Sequence, residues 1–555
     1  MNSPQPGPPA SEPAFNLLDS PWLPVRWLDG HTSEVGLLEL FAHSGHIAGL
    51  AEPSPPAFVA LHRLLLAITH RALTLHQGRW SDADRARWFR QGLPMLAFEK
   101  YLEKWRDRFW LFHPTQPFMQ VAALATAAAT RDRLKTWMVI SLASSKGDTP
   151  VLFDHCVESH SEPIMAGEAL RHLLGYLQFA PPGLIQAIRV SDKAGPLANT
   201  LAVAPIGDNI GQSLTLGLHR FDLDGLDVPS WEMPPPELVT IEARPTLPTG
   251  PNDRYTRQTR AALFVPMDGV IGPRVQHIRF AAGIALEEDP LDLDPMVPHI
   301  ANEDKVMAVR FKEGRAFWRD MPSILPKSSA KTAVAPAIMS CALNVLDELG
   351  NDGGLTVVVG GTTSAQNKAA KLVLWRLESH RLPSSVLSGA DVEVMLRDAL
   401  AKAEQLHNRI LGLLSRAFST MLPKPDERTK RTREASWDRA ASGVRPNDDL
   451  SQALGRDRCT AVFFANAERG FPQLLRHVAA GDTGAAQAVW SATLHDAACQ
   501  AWAAAADLLG PSAAALRARA LTEDAFHILI RPLRPEPAST AIRHPAIASP
   551  KEASA

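Results

Sequence analysis

Apolar positions along this chain follow two periodicities, and each predicts a different kind of element. In PAFVALHRLLLAITHRAL, Phe58, Leu61, Leu65, Ile68 and Leu73 recur at helical spacing, which predicts a buried helix. AGEALRHLLGYLQF is a second clear helical piece within an otherwise mixed stretch of loops and helix from about Ser144 to Leu218. Ahead of both, FNLLDSPWLPVRWLDGHTSEVGLLELF alternates in short stretches broken by Pro and Gly. One or two strands are expected there, then a helix from near Leu37. Between about Pro94 and Leu142 the pattern predicts more helix, interrupted at HPTQPFMQ, where Pro114 and Pro117 forbid a continuous one. From about Trp231 to Val359 the chain is Pro-rich, and AALFVPMDGVI, KVMAVRF and LTVVVGG read as strands.

After about Pro383 the pattern changes. Leu396, Leu400, Ala403, Ile410, Leu414 and Phe418 keep one stripe of a long helix apolar. TAVFFANAERGFPQLLRHV, AAQAVWSATLHDAACQAWAAAADLL and PSAAALRARALTEDAFHIL are amphipathic as well, so about four antiparallel helices run to about Ile530. The expected fold class is α+β. A disordered Pro-rich leader covers 1–14, a large mixed N-terminal domain 15–380, a C-terminal four-helix bundle 383–532, and a loose tail 533–555.

Composition narrows the function. The 555 residues are 45% hydrophobic and 21% charged, with a formal net charge of −2. A free-standing DNA binder usually carries a basic excess, so any nucleic-acid affinity must come from local patches or from partners. Cys156, Cys341, Cys459 and Cys499 lie far apart without a CxxC pair, which indicates neither a zinc ribbon nor a disulfide framework. Reduced thiols and a leader without signal-peptide character point to the cytoplasm. No uninterrupted run of ~18 apolar residues occurs, so no transmembrane span is expected.

Three segments are candidates for chemistry. DHCVESH offers Asp154, His155, Cys156, Glu158 and His160, but neighbouring His155 and Cys156 point apart in an extended chain and the spacing matches no zinc motif. A metal-dependent hydrolase on Asp154, His155 and His160 is one reading; a polar loop is the other. GGTTSAQNK follows a strand, where a phosphate loop would sit, yet Asn367 stands where the second Gly belongs and no Ser or Thr follows Lys368. A β–α turn, with Lys368, Lys371 and Arg376 on the next helix, accounts for it without nucleotide chemistry. In HPTQPFMQ, Phe118 and Met119 read as core residues of a turn. The basic run KPDERTKRTRE joins two bundle helices, and Arg428, Lys430, Arg431 and Arg433 could touch phosphates.

The order FNLLDSPWLPVRWLDG, HPTQPFMQ, LFDH, RPTLPTGPNDRYTRQTR, FKEGRAFWRD and GGTTSAQNK, followed by a helical bundle, resembles the CasA family. That family is the large subunit of the type I-E CRISPR surveillance complex, Cascade, and the resemblance spans all but the two ends of the chain. It implies no catalysis and no cofactor. The implied role is to recognise a short protospacer-adjacent motif in double-stranded DNA, to help open the duplex for pairing with crRNA, and to dock a helicase–nuclease. The implied partners are crRNA, target DNA, the other Cascade subunits and that effector, with no membrane.

Position by position, Gln366 matches a glutamine wedge, with Ala365 and Asn367 lining the minor groove beside it. Phe153 and Asp154 fall in a loop that contacts the guide-RNA end and neighbouring subunits. A minor-groove glycine loop falls near APPGLIQAIRVSDKAG, where only Gly183 and Gly195 are glycines, and Lys368 is a further phosphate candidate. A motif-reading lysine of one branch corresponds to the acidic EEDP here. That branch's zinc segment corresponds to PTGPNDRYTRQTR, which has no ligands, so no zinc is expected. A helical scaffold without a nucleic-acid role is the remaining alternative.

Overall fold

Pro55 and Pro56 open a helix that runs to Gln77 and forms the axis of the N-terminal unit. Proline suits the first helical turn because its missing N–H would find no intrahelical acceptor there. The helix ends at Gly78, whose φ of 75° a Cβ would disfavour, and whose N–H closes on Thr74 O. The structure is a computed structural model that describes residues 15–143, 161–183, 185–191, 193–219, 225–289, 292–302, 305–326, 333–350, 353–364, 372–421, 456–508 and 510–534.

Spacing predicts one apolar stripe on this helix. Instead it is buried on all sides from Leu61 to Leu73, with Phe58 half-buried. Among the described residues it is the one helix long and apolar enough to cross a bilayer, a property that the lack of an uninterrupted apolar run had concealed. Yet 83% of that apolar window is buried inside the protein, so it is a core helix here. Its polar residues are consequently part of the packing. Arg63, wholly buried, donates to both Asp294 oxygens at 2.7 and 2.8 Å and to Gln178 Oε1 at 3.1 Å. Burial alone would favour the neutral form of Asp294, but the charges of Arg63 and Arg254 outweigh it and hold that carboxyl below its ordinary pKa. About two turns further on, Arg71 grips Glu232 through Nε and Nη2, both at 2.8 Å, and Tyr101 donates to the same carboxylate. Such charge-assisted pairs fix direction as well as energy.

Small antiparallel sheets make up much of the rest of this unit, and the one built on Leu355–Ser364 lies against the central helix. Leu23–Trp27 pairs with Thr32–Val35 and with Ile47–Leu50. Arg260–Met267 pairs with Arg274–Ala282, which also carries the short strands Lys135–Thr136 and Ile164–Met165. His299–Asn302 lies between Lys305–Ala308 and Ala333–Val334. Leu355–Ser364 lies between Leu372–Leu382 and Leu201–Ile206. This last strand, LAVAPI, falls in a stretch where the pattern predicts only loops and helix. The helix Ala166–Phe179 occupies the whole of AGEALRHLLGYLQF, as its periodicity predicts.

The helix predicted beyond Pro94 is cut short. After Pro94 the α-helix covers only Met95–Lys104, and the chain to Leu142 is loop, a two-residue strand and 3-10 turns. HPTQPFMQ shows why. Phe118 N–H donates to Trp110 O, Gln120 Nε2 donates to Leu111 O at 2.7 Å, and Phe264 N–H donates to Gln120 Oε1 at 2.8 Å. Backbone groups satisfied by such distant partners have no need of a helix. Phe118 and Met119 are buried, as expected, with Phe118 stacked on Phe109 and Trp231.

Contacts divide the chain into two compact units, up to Leu396 and from Arg397. The helices Ala390–Met421, Arg456–Ala479, Thr483–Leu508 and Ala513–Ile530 correspond to the four predicted stretches. Leu396, Leu400, Ala403, Ile410 and Leu414 are buried along the first of them. In the second unit, Trp490 Nε1 donates to Ala399 O at 2.8 Å, His407 meets Thr460 at 3.0 Å, and Trp502 stacks on Phe526 at 4.6 Å. A Cβ on Gly470 would overlap the Thr493 side chain, so the second and third helices touch there because the residue is glycine.

Asp294→Ala would leave Arg63 charged and buried without its partner. It is expected to cost ~3–5 kcal/mol of stability, read by denaturant unfolding of the full chain; a loss below ~1 kcal/mol would show that the pair is dispensable.

Candidate nucleic-acid interface

Most of the candidate interface residues lie outside the described residues: Phe153, Asp154, Ala365, Gln366, Asn367, Lys368, Arg428, Lys430, Arg431 and Arg433. So do His155, Cys156, Glu158 and His160 of the alternative metal reading, while Gly183 is described. What the structure does describe is the support from which GGTTSAQNK departs.

That support is a hairpin. Leu355–Ser364 and Leu372–Leu382 pair antiparallel from Leu355↔Leu382 to Ser364↔Leu372, with a register shift at Thr363/Ser364. The predicted β–α turn is therefore wrong: the chain returns as a strand. Val373 and Trp375 were the available signal, since β-branched and aromatic residues favour strands over solvated helix faces. The glycines also have a different purpose from a phosphate cradle. A Cβ on Gly361 would overlap Thr200 O, and one on Gly360 would lie 2.8 Å from Val59 Cγ2 on the central helix. They let the sheet approach its neighbours.

The motif FKEGRAFWRD braces this hairpin from one side. Thr363 Oγ1 donates to Phe311 O at 2.7 Å. Arg376 Nη1 donates to Arg315 O at 2.7 Å and to Glu378 Oε1 at 3.1 Å, its guanidinium 5.8 Å from the centre of the Phe311 ring. Phe317 N–H donates to both Glu378 oxygens, at 3.2 and 3.0 Å, and His380 Nε2 lies 3.4 Å from Oε2. Arg315 itself is held by a two-pronged pair with Asp320. Arg376 is thus half-buried in a network, not a residue of a solvated helix. Burial would raise the pKa of Glu378, but its bonds to His380 and Phe317 N–H and the charge of Arg376 outweigh this and lower it.

Gly183 follows Pro181 and Pro182, and a Cβ there would meet nothing within 4 Å. Beyond it Ile185 and Ser191 form an isolated bridge, with Ile188 at a φ of 68°. Gly195 is more constrained: its N–H donates to Ala180 O, and a Cβ would lie 2.6 Å from Gln178 O.

PTGPNDRYTRQTR is held by charge. Asp227 accepts from the N–H groups of Asn252 and Asp253, both at 3.0 Å, at the start of the helix Pro251–Thr256. Arg257 pairs with Asp253, and Arg254 donates to Glu288 of the acidic EEDP segment at 2.8 Å. Among the described residues, no group of three or more His, Cys, Asp or Glu side chains is arranged to hold a metal ion.

The family model described as CRISPR-associated protein Cse1 matches residues 16–501. The CasA/Cse1 protein of Thermus thermophilus is 31% identical over 530 residues, covering 94% of this chain and 98% of that one. The crystal structure of Thermus thermophilus CasA superimposes with a TM-score of 0.77 at 29% identity, over 94% of this chain and all of that one. Cse1 of Acidimicrobium ferrooxidans, 23% identical with a TM-score of 0.70 over 94% of this chain and 99% of that one, shares the fold. This chain belongs to the Cse1, or CasA, family of Cascade large subunits.

Two predictions come from the hairpin root. Gly361→Ala is expected to destabilise the protein by ~1–3 kcal/mol through overlap with the neighbouring strand, whereas Gly183→Ala should stay within ~0.5 kcal/mol; equal thermal unfolding of the two would refute the packing role. Glu378 ionises more readily folded than unfolded. Its contribution is therefore full above the ordinary glutamate value of 4.5 and fades as pH falls through the lowered one. Glu378→Gln should accordingly lose less stability than wild type on acidification from about pH 5 to 3 in urea titrations; parallel losses would sink this assignment.

Proposed function

We propose that this chain is the non-catalytic large subunit of a crRNA-guided antiviral surveillance complex. It recognises the protospacer-adjacent motif of double-stranded DNA through the minor groove, helps to open the duplex for R-loop formation and docks the effector helicase–nuclease. The observation that carries this reading is the braced hairpin, whose strands end at Ser364 and Leu372. A residue that separates stacked bases must resist a restoring free energy of a few kcal/mol. Side-chain bonds from Thr363 to Phe311 O, from Arg376 to Arg315 O and from Phe317 N–H to the Glu378 carboxylate supply that stiffness at the root.

Gln366 is the wedge, Ala365 and Asn367 line the groove, and Gly183 belongs to the neighbouring groove-facing loop. Phe153 and Asp154 contact the crRNA end and adjoining subunits. Lys368, Arg428, Lys430, Arg431 and Arg433 meet phosphates. DNA recognition belongs to 15–380 and the bundle to 383–532. A net charge of −2 suits a subunit making local contacts while an RNA-loaded cytoplasmic assembly holds most of the DNA.

In the assembled complex, Gln366→Ala should lower R-loop formation on double-stranded target by about tenfold, in the range of an unstacking cost. Subunit incorporation and binding to pre-opened target should remain. R-loop yields equal to wild type would overturn the wedge.

A further inference from the structure

The face of the hairpin opposite the brace borders a pocket of about 310 Å³. Trp375, half-buried, forms one wall, and Glu52, Glu168, Arg171, His172 and Ala57 contribute to the others. The volume lies at the lower end of ligand-binding cavities, enough for one long side chain.

The charges select what enters. Among the described lining residues Arg171 is the one permanent cation, and it is already engaged: Nη1 donates to Trp22 O at 2.6 Å and to Glu34 Oε1 at 2.9 Å, and Nε lies 3.0 Å from Glu52 Oε2. Glu34 and Glu52 therefore already share this guanidinium, and Glu168 is a third carboxylate close enough to repel Glu52. Glu52 is raised in pKa, first by burial and then by repulsion from Glu168 and Glu34, which Ser54 N–H and Arg171 only partly relieve. Glu168 is 44% exposed at the mouth and comes no nearer than 3.9 Å to His172 Nε2. Burial pushes His172 down to about 4, so its ring is neutral at pH 7 and cannot balance that charge. A phosphate would meet net negative charge here. A cation would relieve it, and an indole face strengthens the preference, most of all for a planar guanidinium.

We infer that this pocket receives the guanidinium of an arginine presented by a partner protein, stacked on Trp375 and paired with Glu168. The pairing is independent of the wedge, because it concerns the opposite face of the hairpin and needs no DNA. A guanine base, which also stacks and donates to carboxylates, is the competing occupant; its attached phosphate faces the repulsion just described.

Isothermal titration of the full-length chain with N-acetyl-arginine methylamide tests this against its neutral citrulline counterpart and GMP. The arginine probe should bind saturably with Kd on the order of 1 mM, as expected of a lone side chain. Citrulline and GMP should show no saturable binding. Glu168→Gln and Trp375→Leu should each weaken the arginine probe roughly fivefold or more, whereas Trp375→Phe should retain most of the affinity. Should Trp375→Leu disturb the sheet, the mouth residue Glu168 decides the matter. Citrulline binding as well as arginine, GMP binding, no saturable binding, or indifference to Glu168→Gln would each overturn the proposal.

Discussion

The buried ion pair between Arg63 and Asp294 constrains everything around it. A charge placed in the middle of a core helix is tolerable only if its partner arrives at bonding distance, so the segment carrying Asp294 must return to that helix. Gln178 bonds the same guanidinium, which brings the helix Ala166–Phe179 alongside. Arg71 applies the same constraint further along through Glu232. Apolar burial drives the helix inward, while these pairs decide which distant segments lie against it.

The hairpin inherits that order. Gly360 faces Val59 of the central helix, and Gly361 faces Thr200 beside the third strand of the sheet. Bulk at Gly360 would push the sheet off the central helix, and bulk at Gly361 would collide with Thr200 O and the Phe311 ring of the brace. On the other side Glu378 collects Phe317 N–H, Arg376 and His380 into one junction. The hairpin is therefore held between core and brace. Trp375, on the strand face away from the brace, is left to border the acidic pocket.

Legibility along the chain followed the range of the forces involved. The helices Ala166–Phe179 and Pro55–Gln77, the four C-terminal helices and the strands at LTVVVGG and AALFVPMDGVI were readable because periodic burial leaves a local trace. The segment after Lys104 was not. Trp110 and Leu111 bond it from nearby, but Ala262 O, which accepts from Val121 N–H, and Phe264 N–H, which donates to Gln120 Oε1, come from far along the chain. The turn after LTVVV was misread for a similar reason. Basic residues near a strand end look like a solvated helix until Phe311 and Glu378 are seen to surround Arg376.

By itself the sequence determined the elements with a strong period, the α+β class and, through the order of its motifs, the family. It also marked Gln366 and its neighbours as the residues to test. Tertiary structure decided what those motifs are for. FKEGRAFWRD is a brace, HPTQPFMQ is a core turn, and PTGPNDRYTRQTR is fastened by Asp227, Asp253 and Glu288. Hydrogen bonds and ion pairs act over about 3 Å, whatever the separation along the chain, so their partners become known only once the chain is folded.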